Sequence, residues 1–247
     1  MSGHSKWSTI KRAKGVVDAK RSKIFTRLTR EVTLAARTGI DPELNPRLRL
    51  AIQKARDSNM PGDNIDRAIK KVAGGDGNVT TLDEVTYEAY GPGGVAILLE
   101  VVTENRNRTA ADVKAALNKA GGSMGESGSV SWMFKTNGVL TIPAVGDEAD
   151  EIALRAIDAG AEDFTVDDDA VEIYCAPGAI EEIRTILESE GVTVANSEVT
   201  QIPTAMVTVD SKLADQTIRL LEKLEDLDDV QRVSTNADFP QDLITDV

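Results

Sequence analysis

Nine Lys or Arg fall within the first 30 residues, Lys6, Lys11, Arg12, Lys14, Lys20, Arg21, Lys23, Arg27 and Arg30, against a single acid, Asp18. Cations at that density suit polyanions: guanidinium meets phosphate with a planar fork, ammonium as a point charge. A second pair, Arg106 and Arg108 in TENRNRTAAD, is flanked by Asn105 and Asn107 at the end of a strand-like run. Thr109 is expected to cap the next helix, with Asp112 at the capping-box distance. A guanidinium pair beside a helix N-terminus can hold phosphate, or it can pair with nearby Glu100 or Glu104; both readings stay open.

Other chemistry finds no residues to carry it. His4 is the only histidine, so neither a His-based metal site nor a catalytic triad is available. The single cysteine, Cys175 in VEIYC, alternates with Val171 and Ile173 onto one strand face and is expected to be a buried, inert thiol. YGPGGV and GGSMGESGS are glycine-rich but lack the Lys-Ser/Thr ending of a nucleotide phosphate loop, and the first reads as a turn between strands. Asp167, Asp168 and Asp169 read as a polar hairpin tip rather than a cation site. No acidic pair is singled out as a catalytic acid and base. The expectation is a protein that is not an enzyme, with no cofactor, no metal and no small-molecule substrate.

The elements that must position the cations can be read from periodicity. At ~100° per residue, Ile24, Phe25, Leu28, Val32 and Ala35 share one face of a helix ending near Gly39, with Lys20, Lys23, Arg27, Arg30 and Arg37 in an arc roughly opposite. A second helix is signalled by Asn45 as N-cap and Pro46 at the first position, burying Leu48, Ala51, Ile52 and Ala55, with Arg47, Arg49, Lys54 and Arg56 off that face. A third begins at an Asp63 cap, buries Ile65, Ala68, Ile69 and Val72, and stops at AGGDG. Together they make a small bundle. Residues 1 to about 16, including Trp7, show little periodicity and read as an arm that stays mobile until a partner orders it.

From about residue 84 the period changes, and four β-α-β blocks follow. GVAILLEVVT leads through AADVKAALNKA to GSVSWMF, and GVLTIP through EADEIALRAIDAG to DFTV. AVEIYC leads through GAIEEIRTILESEG to VTVANSEV, and AMVTVD through KLADQTIRLLEKLED to VQRVST. Two such units make one ferredoxin-like sandwich, so four predict two α/β domains. One RNA-binding module shares this shape and reads bases with strand aromatics, but aromatics are only 4% of the chain, which excludes base stacking on these sheets.

Charge divides the chain. Residues 1 to 75 hold 17 Lys and Arg against 7 Asp and Glu, and the remainder 11 against 34, within a formal total of −13. A basic region that meets phosphate beside an acidic one that limits indiscriminate binding fits this pattern. No long apolar run predicts a membrane span, and the basic N-terminus leads into patterned helices rather than a signal or transit peptide, so a cytoplasmic location is expected.

GHSKW, DAKRSKIFTRLTREV, NPRLRLAIQKARDSNMPGDNIDRAIKK, YEAYGPGGVAILLE, TENRNRT and GSVSWMF resemble the YebC/PmpR family of bacterial regulatory proteins, which also includes the mitochondrial translational activator of cytochrome oxidase. One departure is Ala89, where the family usually has glycine. The resemblance implies an α+β multidomain fold, an N-terminal three-helix bundle plus two ferredoxin-like α/β domains, one inserted in the other. The expected domains are residues 1–78, basic, with the arm; 79–134 plus 204–247, acidic; and 135–203, acidic and inserted. It further implies a nucleic-acid-binding regulator of gene expression, either a DNA-binding transcriptional regulator or a ribosome-associated factor that binds ribosomal RNA or tRNA and relieves stalling at difficult, proline-rich stretches. A protein-protein interaction module without nucleic-acid binding is the rival reading from charge alone. The neighbouring helices show no obvious base-reading set, which favours backbone contacts; no membrane partner is expected, and the oligomeric state is not encoded legibly.

Overall fold

The computed structural model describes residues 18–74, 82–167 and 169–240, with side chains from residue 22 onward. The expected arm, with His4 and Trp7, lies outside the described residues, as does Asp168. Three helices come first, α1 (Asp18–Ala36), α2 (Pro46–Asp57) and α3 (Gly62–Ala73). The chain then forms β1 (Asp83–Tyr90), β2 (Ala96–Thr103), α4 (Arg106–Lys119), β3 (Ser123–Met124), β4 (Phe134–Pro143), α5 (Asp147–Asp158), β5 (Asp163–Val166) and β6 (Ala170–Cys175). It closes with α6 (Ile180–Ser189), β7 (Asn196–Pro203), β8 (Val207–Thr208), α7 (Ser211–Glu225), β9 (Val230–Thr235) and β10 (Ala237–Asp238). It divides into two compact units, one of residues 28–77 and 136–200, the other of residues 1–27, 78–135 and 201–247.

In the unit of residues 28–77 and 136–200, the helices begin as the sequence dictates. Asn45 caps α2 by accepting from the Leu48 amide at 3.1 Å, and its side-chain amide donates to the Ala35 and Gly39 carbonyls, joining the end of α1 to the start of α2. At the end of α2, Asn59 takes a left-handed φ of 57°. The Met60 amide bonds the Ala55 carbonyl and the Asn59 amide that of Arg56, a Schellman closure that buries Met60. Asp63 does not cap α3: Pro61 occupies the capping position without a side-chain bond, and Asp63 sits in the first turn, where its charge still favours the helix dipole.

The same unit holds a sheet of order β5-β6-β4-β7. β6 lies between the two strands that α5 joins, the split arrangement of a ferredoxin-like sandwich. Leu140, Ile142, Val171, Ile173 and Cys175 meet Ile152 of α5 and Ile183 and Leu187 of α6 in its core, and each fully buried aliphatic contributes about 1.5–3 kcal/mol. Leu50 of α2 packs against this cluster. Around it run ion pairs from Arg184 to Asp57 at 2.9 Å, Lys54 to Glu198 at 3.2 Å and Arg49 to Glu181 at 2.6 Å.

The other unit contains a sheet of order β3-β1-β2-β9, antiparallel throughout. Val113 and Leu117 of α4 and Ile218, Leu221 and Leu224 of α7 cover one face, while Val130 and Phe134 pack with Ala96 and Leu98 on the other. The first and fourth expected blocks therefore share one sheet and the middle two the other, so one α/β domain interrupts the other. Two strand expectations are corrected. GSVSWMF is mostly a short 3-10 turn at Ser131–Met133, and the return strand after α4 is only Ser123–Met124; AMVTVD contributes only Val207–Thr208. Glycine permits the short return strand to approach β1: a Cβ on Gly122 would sit 2.6 Å from the Tyr90 carbonyl oxygen. Ala89, buried in β1, pairs regularly with Ile97 and Met124.

Candidate nucleic-acid interface

Lys6, Lys11, Arg12 and Lys14 lie outside the described residues, and Lys20 and Arg21 are placed only as backbone at the start of α1. The cations further along α1 do not stand as a simple open row. Lys23 donates from Nζ to the Asp226 carbonyl at 3.1 Å and pairs with its carboxylate at 3.3 Å, and Arg27 donates to the Glu225 carbonyl. Both meet the C-terminus of α7, the negative pole of that helix. Arg30, on the same helix, is half-buried. On α2, Arg49 and Lys54 are held by carboxylates, Lys54 by Glu31 as well as Glu198. Arg56 at the end of α2 and Arg67, Lys70 and Lys71 on α3 are different: all four are exposed, and none forms an ion pair among the described residues.

The Arg106–Arg108 loop is built from a buried acid. Asp229, 6% exposed, accepts from the Thr109 hydroxyl at 2.7 Å, from Arg108 at 2.7 Å and from the Thr103 hydroxyl at 3.1 Å. Burial pushes its carboxyl up, but these three donors outweigh that and hold it below the ordinary Asp value. Arg106 pairs with Asp83 at 2.9 Å. Neither arginine uses Glu100, which is taken by Arg232, or Glu104. Thr109 is not the cap either. Asn105 accepts from the Arg108 amide at 3.1 Å, and Thr109, one turn in, is buried against Asp229. Both guanidinium side chains remain more than half exposed beyond these bonds.

The glycine-rich segments serve the backbone. Gly93 and Gly94, with φ of 74° and 78°, turn the chain between β1 and β2. The end of GGSMGESGS and the two residues after it wrap the carboxylate of Glu88, which accepts from the amides of Gly128 at 2.6 Å, Val130 at 2.6 Å and Ser131 at 2.8 Å. Burial raises that carboxyl, and the amide donors more than reverse the effect, leaving it below the ordinary Glu value. Sequence reading missed this cradle because one buried Glu in DEVTYEAY looks like any polar strand residue. Cys175 is fully buried in its core, and burial, with the charge of Glu162, pushes its thiol up to about 11. The Asp167 amide bonds the Ala170 carbonyl, closing a hairpin between β5 and β6. Among the described residues no group of three His, Cys, Asp or Glu is placed to hold a metal ion, and no helix is long and apolar enough to cross a membrane.

Comparison with known proteins covers nearly the whole chain. The family described as TACO1/YebC protein N-terminal domain matches residues 5–75, and that described as TACO1/YebC second and third domain matches residues 82–237. A probable transcriptional regulatory protein of Dehalococcoides mccartyi is 52% identical over 245 residues, covering 99% of this chain and 97% of the relative. One from Chloroflexus aurantiacus is 53% identical over 248 residues, at 99% and 98% coverage. Among solved structures, a conserved hypothetical protein from Aquifex aeolicus is 42% identical with a TM-score of 0.84, covering 92% of this chain and 93% of that one.

Proposed function

The chain belongs to the TACO1/YebC family, and from that premise we propose that it is a non-enzymatic regulator of gene expression that works by binding nucleic acid in the cytoplasm. The names of its relatives support a regulator, and duplex DNA is the first target we assign. One observation carries the nucleic-acid reading: Arg56, Arg67, Lys70 and Lys71 are exposed and form no ion pair among the described residues, although acids outnumber cations in the chain. With Lys6, Lys11, Arg12, Lys14, Lys20, Arg21, Lys23, Arg27 and Arg30 they would contact the phosphate backbone, Lys23 and Arg27 while anchored on α7. Arg106 and Arg108 would add their exposed guanidinium edges. The working domains in this reading are residues 1–78, 79–134 with 204–247, and 135–203.

Binding would draw on counterion release, so affinity should fall steeply with salt. Replacing Arg56, Arg67, Lys70 and Lys71 together by Gln should weaken binding at least about tenfold and flatten the salt dependence by about three units of slope. An anisotropy titration measures both, and unchanged affinity would refute the reading.

A second target is favoured by the charge of residues 136–200, where sixteen acids face two basic residues, Arg155 and Arg184, both already ion-paired. Such a surface repels bare DNA and attracts basic proteins, the combination met on a ribosome. Sedimentation of lysate with and without nuclease separates the two: co-migration with ribosomes that RNase abolishes and DNase does not would make the protein a translation factor.

A further inference from the structure

Residues 79–134 and 204–247 carry seventeen acids and only eight Lys or Arg. Three of the eight are held in ion pairs, Arg106 with Asp83, Arg108 with Asp229 and Arg232 with Glu100, the first two with their outer edges still exposed. The other five, Lys114, Lys119, Lys212, Arg219 and Lys223, are exposed and form no ion pair among the described residues. All five lie on α4 or α7. Four of them line one groove of about 920 Å³ between these helices: Lys119 from α4 and Lys212, Arg219 and Lys223 from α7.

The spacing explains the convergence. Positions 212, 219 and 223 fall on one stripe of α7, and positions 112, 115, 116 and 119 on one stripe of α4. The groove floor is small and apolar, Ala115, Ala116 and Ala120 with Leu220 and Leu227, and Gln216 donates across it to the Ala120 carbonyl at 2.8 Å. Asp112 and Asp215 also line it, so cations exceed acids four to two in a region where acids prevail overall. Solubility does not require these cations, because the surrounding acids already supply net charge. An alanine floor edged by unneutralised cations lets a sugar face approach closely while phosphates meet ammonium and guanidinium groups.

We propose that the groove between α4 and α7 is a further nucleic-acid contact, seating the sugar-phosphate backbone on Lys119, Lys212, Arg219 and Lys223. This rests on the nucleic-acid reading above, and it assigns a surface distinct in sequence from the basic N-terminal helices. Phosphodiester is the shared chemistry of DNA and RNA, so both polymers are tested.

The full chain and the variant K119Q/K212Q/R219Q/K223Q are titrated against a short DNA duplex and an RNA stem-loop with equal numbers of phosphates, from about 50 to 300 mM salt. The variant should bind with a slope of log K against log salt shallower by about three, four contacts at roughly 0.7–0.9 each. The polymer whose affinity falls identifies the source. Should the quadruple variant fold poorly, K212Q/K223Q carries the same test with a slope change of about 1.5. Ala115→Trp fills the floor without changing charge and should weaken binding at every salt concentration. Unchanged slope and affinity in these variants, while the native chain binds, overturns the groove and leaves the broader reading standing. A native chain that binds neither polymer at the lowest salt overturns both. Binding of polyglutamate that the variant loses, with nucleic-acid binding intact, gives the groove to an acidic protein and overturns the proposal.

Discussion

Glu88 and Asp229 show how single buried carboxylates organise the segments around them. Both stay ionised in the folded protein to lower pH than in the unfolded chain. Their stabilisation is therefore complete above the ordinary carboxylate range, 4.5 for Glu and 3.8 for Asp, and is lost as pH falls below it through the folded values. Glu88→Gln should cost about 2 kcal/mol at pH 7, because an amide offers the Gly128, Val130 and Ser131 amides one acceptor oxygen and no charge. The same variant should lose less stability on acidification than the native chain. Urea unfolding between pH 3 and pH 7 measures both effects, and an unaltered pH slope would remove Glu88 from the acid response. The thiol was legible as inert because Cys175 alternates with Val171 and Ile173. Asp229 was not legible as the partner of Arg108, because 121 residues separate them and one DD pair resembles its neighbours.

At the scale of elements, several local signals were read correctly, though the α3 cap expected at Asp63 fell two residues earlier, at Pro61. Asn45 and Pro46 start α2, and the PGG turn joins β1 to β2, because caps and turns are decided within a few residues. Asn105 displaced Thr109 as the cap of α4 because Thr109 was drawn inward by Asp229, a long-range demand that local spacing cannot reveal. The cationic face of α1 depends on long-range partners in the same way. Periodicity places Lys23 and Arg27 opposite the core of α1, but cannot show that the C-terminus of α7 receives them. The groove cations were equally present in KAALNK and KLADQTIRLLEK, yet they signify little until two helices bring them together. Asn45 gives the element-scale test. Asn45→Ala removes the α2 cap and the contacts to the carbonyls of Ala35 in α1 and Gly39 just beyond it, and should cost about 2 kcal/mol or more. Asn45→Ser keeps an acceptor for the Leu48 amide and is too short to reach the two carbonyls, so it should fall between native and Ala in urea midpoint. Equal midpoints for Ala and Ser would mean that the cap bond contributes nothing.

On the scale of the whole chain, charge segregation is the property that connects fold to function. The unit of residues 28–77 and 136–200 holds basic helices and the most acidic segment of the chain, fastened by Arg49–Glu181, Lys54–Glu198 and Asp57–Arg184. If the proposed nucleic-acid binding holds, carboxylates in the same compact unit as those cations would raise the cost of settling on an arbitrary duplex, since screening at about 0.1 M salt extends only ~10 Å. Neutralising Glu148, Asp150 and Asp158, which are exposed on α5, to Gln or Asn tests this directly. The fold should tolerate it, because losing two acids from the first turn of α5 is offset in part by losing one at its last residue. Affinity for random-sequence duplex should rise several-fold at low salt, and the gain should vanish near 1 M, where the screening length shrinks to about 3 Å. If random duplex is bound no more tightly, the acids do not restrain the cations, and their role passes to docking a basic partner, whose binding these substitutions should then weaken.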